Sequence, residues 1–312
     1  MSDDFEARLR DSALDSVPPG MARAVTHVLD AGGKRMRPGL VFRFAALCGA
    51  GGARVMEYAL AVEMLHAATL VHDDIIDAAE TRRGVATVHA AFGTDVALLV
   101  GDLLVARCGV HSAATGWAGA AGELFGALSA MVGGELAQRE RRFDLTQGVD
   151  DYLETVRRKT STLLQAACAG ACMVALDAAA DSPLPAQARQ YGDHLGRAFQ
   201  VIDDVLDYSA SSGTIGKPVG NDLREGTVTL PLILALEQDP GLAADVERVR
   251  AGAAGEIDSV LERVRATGAL ERCVEVAEEE ARRAAAALAH FPDRPERHEL
   301  EQFALSLPHR SA

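Results

Sequence analysis

Two windows of the sequence carry three aspartates in the pattern D-D-x-x-D: HDDIID at residues 72–77 and IDDVLD at residues 202–207. The chain holds 24 aspartates in 312 residues, from which chance supplies roughly 0.14 such windows. Two is therefore a signal. On a helix Asp73 and Asp77 stand one turn apart on one face, and so do Asp203 and Asp207. Like charges at that spacing repel, and the flanking residues are aliphatic, so the pattern predicts acids driven toward a core. Uncompensated burial of a carboxylate costs several kcal/mol or forces protonation. Divalent cations remove that difficulty. All-oxygen ligands favour hard ions, and Mg²⁺ takes one or two carboxylates together with substrate phosphates and water. Two rows of aspartate thus point to a metal-bridged phosphate or diphosphate. Helix-end acids with no ligand are the competing reading, but a helix C-terminus is the unfavourable end for an anion.

A phosphate ligand also needs cations. Lys34 and Arg37 lie three apart in GGKRMRP, just ahead of a helix. Arg82 and Arg83 follow the first acidic window in ETRRG, where they can clamp a diphosphate. Lys159 with Thr160 in RRKTST and Lys217 in a glycine-rich segment are further candidates. His66 and Leu70 continue the Asp73 row backward, and Gln200 continues the Asp203 row.

The elements that must hold these residues read as helices throughout. Apolar residues recur at three- and four-residue spacing, with little period-two alternation. The spacing predicts helices at about 20–30, 38–49, 54–78, 93–115, 119–143, 149–176, 185–208 and 228–237, with several more beyond 243. Pro38, Pro183 and Pro185 suit first helical turns. The segment 208–226 is dense in Gly and Ser and reads as a functional loop. Segments 54–72 and 96–110 are apolar on more than one face, which predicts central burial or a subunit interface.

Composition narrows the function. The net charge of −14 repels nucleic acid and anionic lipid, so any phosphate site must be a local cluster. The N-terminal MSDDFEARLR lacks the apolar stretch of a secretory signal. No run approaches the roughly 18 apolar residues of a membrane span, so no integral membrane segment is expected. Five cysteines without zinc-site spacing read as core thiols. A cytoplasmic protein is the expectation.

The motifs together resemble those of the trans-isoprenyl diphosphate synthases, the polyprenyl synthetase family, of medium- and long-chain type. GGKRMRP, HAATLVHDDIID followed by RRG, GDLL, KT, FQVIDDVLD and GKPVGNDLREG occur in that family's order, over residues 30–235 or so. The resemblance implies an all-α, single-domain fold of antiparallel helices around a deep central cavity, the isoprenoid synthase fold, usually as a homodimer. It implies condensation of isopentenyl diphosphate with an allylic diphosphate. Asp73, Asp77 and Asp203 would hold three Mg²⁺ ions, with Asp74, Asp204 and Asp207 in support. Arg82 matches an allylic-site ligand; Lys34, Arg37, His66 and Arg83 match the isopentenyl diphosphate pocket. Lys159, Thr160 and Gln200 match groups lining the reacting centre, and Lys217 another diphosphate ligand. One departure is Thr227, where the family commonly has Lys.

In short-chain members aromatics four and five residues before the first Asp form a floor. Here those positions are Thr69 and Ala68, and their small side chains imply products of C20 or longer. Three other classes compete. A class I terpene cyclase shares the first acidic motif, but its second metal site usually mixes Asn, Ser or Thr with Glu. A metal-dependent phosphohydrolase around His72 and Asp73 would need further His ligands. A non-catalytic partner subunit of the same fold tends to lose the metal carboxylates, and this chain retains both sets.

Overall fold

The computed structural model describes residues 3–209, 220–253 and 255–309. In chain order the helices are α1 Asp3–Leu14, α2 Pro19–Asp30, α3 Met36–Leu47, α4 Ala53–Ile76, α5 Val88–Phe92, α6 Thr94–Ala114, α7 Ala118–Glu140, α8 Val149–Val156, α9 Thr162–Leu176, α10 Pro183–Ser209, α11 Asn221–Glu225, α12 Leu230–Gln238, α13 Leu242–Arg250, α14 Glu256–Ala266, α15 Ala269–Ala287 and α16 Pro295–Ser306. A two-stranded hairpin, β1 Thr81–Arg82 and β2 Val85–Ala86, separates α4 from α5. The fold is all-α, as the periodicity predicts.

The chain divides into two compact units. The first holds the described residues of Met1–Leu128, Gln165–Arg189 and His290–Arg297; the second holds those of Ser129–Leu164, Gln190–Ala289 and His298–Ala312. In the first unit α4 is the central rod, with Val55, Tyr58, Leu60, Met64, Leu65 and Ala68 all buried. The Tyr58 hydroxyl donates to the Ala166 carbonyl at 2.6 Å, which satisfies a fully buried polar group. Four of the five cysteines are buried and none is paired; burial pushes the Cys108 thiol up to about 11. In the second unit α10 is the corresponding rod, fixed by Tyr191 donating to the Leu300 carbonyl at 2.9 Å and by His194 meeting Glu280 at 2.7 Å.

Two departures from the sequence reading have physical causes. The stretch 149–176 is broken by a π-helical turn, Arg157–Ser161, between α8 and α9, because a wide turn leaves no mark on hydrophobic periodicity. The helix near 38–49 starts at Met36, so Pro38 sits at its third position, still inside the first turn where its missing N–H has no intrahelical partner. At 21 residues, α6 is long and apolar enough to cross a membrane by length and composition only; Asp102 and Arg107 interrupt it, so it holds no unbroken run of some 18 apolar residues, as expected. Its seam is buried through Ala97, Val100, Leu104 and Cys108, while Leu98, Leu99 and Val110 are more than half exposed.

Candidate active site

In the first unit α4 carries the first acidic window on its last turn. Only the middle acid is truly buried: Asp74 is 5% exposed, Asp73 is half-buried and Asp77 is exposed at the helix C-cap. The expectation of three core acids is corrected here. A helix face presents the outer pair to the site and turns the middle one inward. Asp74 is met by Arg82, whose Nε donates to Oδ1 at 2.7 Å. Arg82 reaches it from a tight hairpin whose central residues, Arg83 (φ 53°) and Gly84 (φ 79°), are both left-handed, the geometry of a type I′ turn.

That turn brings Arg83 to the GGKRMRP loop, where its Nη1 donates to the Gly32 carbonyl. Arg37 donates to His66 Nε2 at 2.9 Å. Burial, then the guanidiniums of Arg37, Arg83, Arg82 and Arg35, hold His66 well below its usual range, so it is a neutral acceptor among cations. Guanidiniums gathered around a neutral imidazole are groups that a diphosphate would pair with. Lys34 is exposed on the adjoining loop. Arg35, absent from the predicted site, ties that loop down through Glu6 at 2.9 Å and buried Glu63 at 2.7 Å. Ala68 is fully buried, and half-buried Thr69 donates to the His66 carbonyl at 2.9 Å.

In the second unit Gln200, Asp203 and Asp207 fall on one face of α10. Asp204 is 5% exposed and Asp203 half-buried, repeating the pattern of the first window. Asp207 accepts from the backbone N–H groups of Asn221 and Asp222, at 3.2 and 3.1 Å. Thr160 donates to Gln200 Oε1 at 2.8 Å, Gln200 Nε2 donates to Asp204 Oδ1 at 2.8 Å, and the Tyr152 hydroxyl donates to Asp204 Oδ2 at 2.6 Å. Lys159 Nζ sits 2.7 Å from both Gln138 Oε1 and Glu135 Oε2. Tyr152, Lys159, Thr160, Gln200 and Asp204, with Asp222 and Thr227, line a cavity of about 110 Å³.

Burial pushes the Asp204 carboxyl up to about 7; Tyr152 and Gln200 pull it down, and Asp203 and Asp207 push it further up. Asp222 is raised well above the usual range by burial and by Asp204 and Asp207, against Lys159. Around Asp204 and Asp222 carboxylates therefore outnumber cations, and the donor set is oxygen, which suits a hard divalent ion. Among the described residues no three His, Cys, Asp or Glu side chains form a metal cage by themselves. Mg²⁺ does not require one, since it keeps waters and substrate oxygens beside one or two carboxylates.

Of the predicted residues, Arg37, His66, Arg82 and Arg83 gather in the first unit, and Lys159, Thr160, Gln200 and Asp204 gather in the second. Lys217 lies outside the described residues. The sequence reading missed Tyr152, Glu135, Gln138 and Asp222. Tyr152 stands two turns before Lys159, and that spacing was the available signal. Glu135 and Gln138 had none, because their role comes from contact with Lys159.

Comparison with known proteins converges on one family. Residues 18–264 match the model of the family described as polyprenyl synthetase. Solanesyl diphosphate synthase 2, chloroplastic, of Arabidopsis thaliana is 36% identical over 290 residues, covering 90% of this chain and 68% of that protein. The all-trans-nonaprenyl-diphosphate synthase (geranyl-diphosphate specific) of Rhodobacter capsulatus is 36% identical over 283 residues, covering 86% of this chain and 82% of that protein. Among solved structures, a polyprenyl synthase from Caulobacter crescentus CB15 complexed with calcium and isoprenyl diphosphate superposes with a TM-score of 0.91 at 35% identity, over 99% of this chain and 94% of the other. By its motifs, its all-α fold and these matches, the chain belongs to the polyprenyl synthetase family.

Proposed function

We infer that this protein is a chain-elongating trans-prenyltransferase, which condenses isopentenyl diphosphate with an allylic diphosphate to give an all-trans polyprenyl diphosphate of C20 or longer. The observation that carries the reading is the cationic nest around neutral His66, next to the Asp73 row. Arg37, Arg83 and Lys34 bind the isopentenyl diphosphate. Arg82, standing on Asp74, takes the allylic diphosphate, together with Lys217. Asp73, Asp77 and Asp203 would hold Mg²⁺, with three ions as the proposed count, whose charge would stabilise the diphosphate as it departs.

Bond changes then follow from charge. The allylic C–O bond breaks, and its electron pair leaves with the diphosphate. The isopentenyl double bond attacks the electron-poor allylic carbon, and the released diphosphate takes one proton from the resulting cation, which restores neutrality. Lys159, Thr160 and Gln200 line the reacting centre, where oxygen lone pairs stabilise the transient positive charge. Apolar walls keep out water, which would otherwise capture the cation.

We take the whole chain as one catalytic domain working as a homodimer in the cytoplasm. The half-exposed Leu98, Leu99 and Val110 of α6 and the exposed Val132 and Leu136 of α7 support a subunit interface. The charged Asp102 and Arg107 in mid-α6 oppose placing that helix in a bilayer. Unpaired thiols suit a reducing compartment.

The test is to supply labelled isopentenyl diphosphate with each allylic starter from C5 to C20 and Mg²⁺, and to size the products. Chain elongation that stops on addition of EDTA is expected. Hydrocarbon released from an allylic diphosphate alone would identify a cyclase, and an inactive purified chain would identify a partner subunit.

A further inference from the structure

Lys159 and Thr160 do not ride on an ordinary helix. They sit on the π-helical turn Arg157–Ser161, a wide turn that is rare and recurs at functional sites. Two glycines of the second unit make room for it. A Cβ added at Gly134 of α7 would fall 2.9 Å from Arg158 Cβ and 3.4 Å from the Lys159 backbone N. At Gly196 of α10 it would fall 2.6 Å from Ser161 Cα, a backbone clash that no side-chain rotation relieves. The turn is thus seated from two sides, and Gly196 lies one helical turn before Gln200.

Seating the backbone does not set the direction of the Thr160 hydroxyl, and that direction decides what Thr160 offers. Its one proton goes to Gln200 Oε1, which leaves the oxygen lone pairs as its contribution to the cavity it lines. Lone pairs suit an electron-poor carbon, and an inverted hydroxyl would not. Gln200 could satisfy Thr160 with either end of its amide. Its orientation is fixed because Nε2 donates to Asp204 Oδ1. Asp204 is fixed in turn because its second oxygen, Oδ2, accepts from Tyr152. Tyr152 is 4% exposed and Asp204 5%, so no bulk water substitutes for either bond.

We propose that Tyr152 is a positioning residue for the condensation, which locks the Asp204 carboxylate and the Gln200 amide so that Thr160 presents lone pairs, not its proton, to the reacting carbon. The proposal rests on the prenyltransferase reading above. Without the Tyr152 hydroxyl the carboxylate is free to turn about its Cβ–Cγ bond, and the amide loses its fixed partner.

The test is a double-mutant cycle on the full chain with Tyr152→Phe, Thr160→Val and the pair, measuring kcat and both KM values with Mg²⁺ in excess. Tyr152→Phe alone is expected to lower kcat about tenfold, the effect of one lost hydrogen bond, with both KM values unchanged. In the Thr160→Val background the same substitution should change kcat less than twofold, because the group it orients is gone. An equal loss in both backgrounds, or a shift in KM with kcat intact, would overturn the proposal and mark Tyr152 as structural. Absence of condensation by the unsubstituted chain would instead overturn the functional reading itself.

Discussion

Asp74 and Asp204 occupy the same place in the two D-D-x-x-D windows and are buried to the same degree, yet their surroundings differ in kind. Asp74 meets the guanidinium of Arg82 at 2.7 Å. Asp204 meets two neutral donors, Tyr152 and Gln200, and burial holds its carboxyl up to about 7. A guanidinium cancels the carboxylate's charge, whereas neutral donors solvate it without cancelling it. Asp74 is thus neutralised by its own chain, whereas Asp204 is held by neutral donors alone. The middle acids of two identical motifs are thus balanced in different ways.

The largest effect expected is on the outer acids, for which the two rows should behave alike. Asp73→Asn and Asp203→Asn should each lower kcat by roughly a thousandfold, several kcal/mol of lost charge stabilisation. Steady-state assays at saturating Mg²⁺ check this, and unequal losses would show that one row carries the metal chemistry alone.

The middle acids should differ. Asp74→Asn leaves the Arg82 guanidinium, 28% exposed, without its partner and should cost about 3 kcal/mol of stability at pH 7. Asp204→Asn keeps a side chain of the same shape and removes a carboxylate that burial disfavours, so at pH 7 it should cost nothing or stabilise. Urea unfolding of both variants would break the comparison if the costs were equal.

The pH dependence sharpens it further. The Asp204 carboxyl titrates at about 7 in the folded chain and near 3.9 when unfolded. The folded state therefore holds the proton more tightly, and the associated stability is fully present below about pH 4 and lost as pH rises toward 7. In metal-free buffer the unsubstituted chain should lose about 1.4 kcal/mol per pH unit relative to Asp204→Asn across that window. Parallel unfolding curves at every pH would contradict the assignment.

Two smaller effects concern the flanks of the rows. Ala68 is fully buried, so Ala68→Phe should shorten the product while costing about 1–3 kcal/mol of stability through overpacking. An unchanged product length on chromatography would refute its role. Thr227→Lys, in a cavity already short of cations, should lower the KM for the allylic diphosphate severalfold, about 1 kcal/mol. A raised KM would count against a diphosphate contact there.

Much of this was legible in the residues. The long helices show in the 3.6-residue periodicity because each buries a stripe, and the acid rows show because aspartates between aliphatic residues are improbable. What was not legible depends on contacts across sequence. The π turn costs no hydrophobic signal. The hairpin that carries Arg82 and Arg83 is only two residues a side, too short for an alternation pattern. The inward turn of Asp74 and Asp204 follows from helix phase, which the motif's letters do not display. Nor does composition reveal that Arg35 is spent on Glu6 and Glu63 while Arg37 is turned to His66.

The proposed function has both aspartate rows act on one diphosphate through shared metal. It is tested most directly by calorimetric binding of an unreactive allylic thiodiphosphate to the unsubstituted chain, Asp73→Asn, Asp203→Asn and the double variant, with and without Mg²⁺. The account predicts Mg²⁺-dependent binding, a large loss in each single variant, and a double variant little worse than either. Independent losses that multiply, or binding indifferent to Mg²⁺, would contradict it.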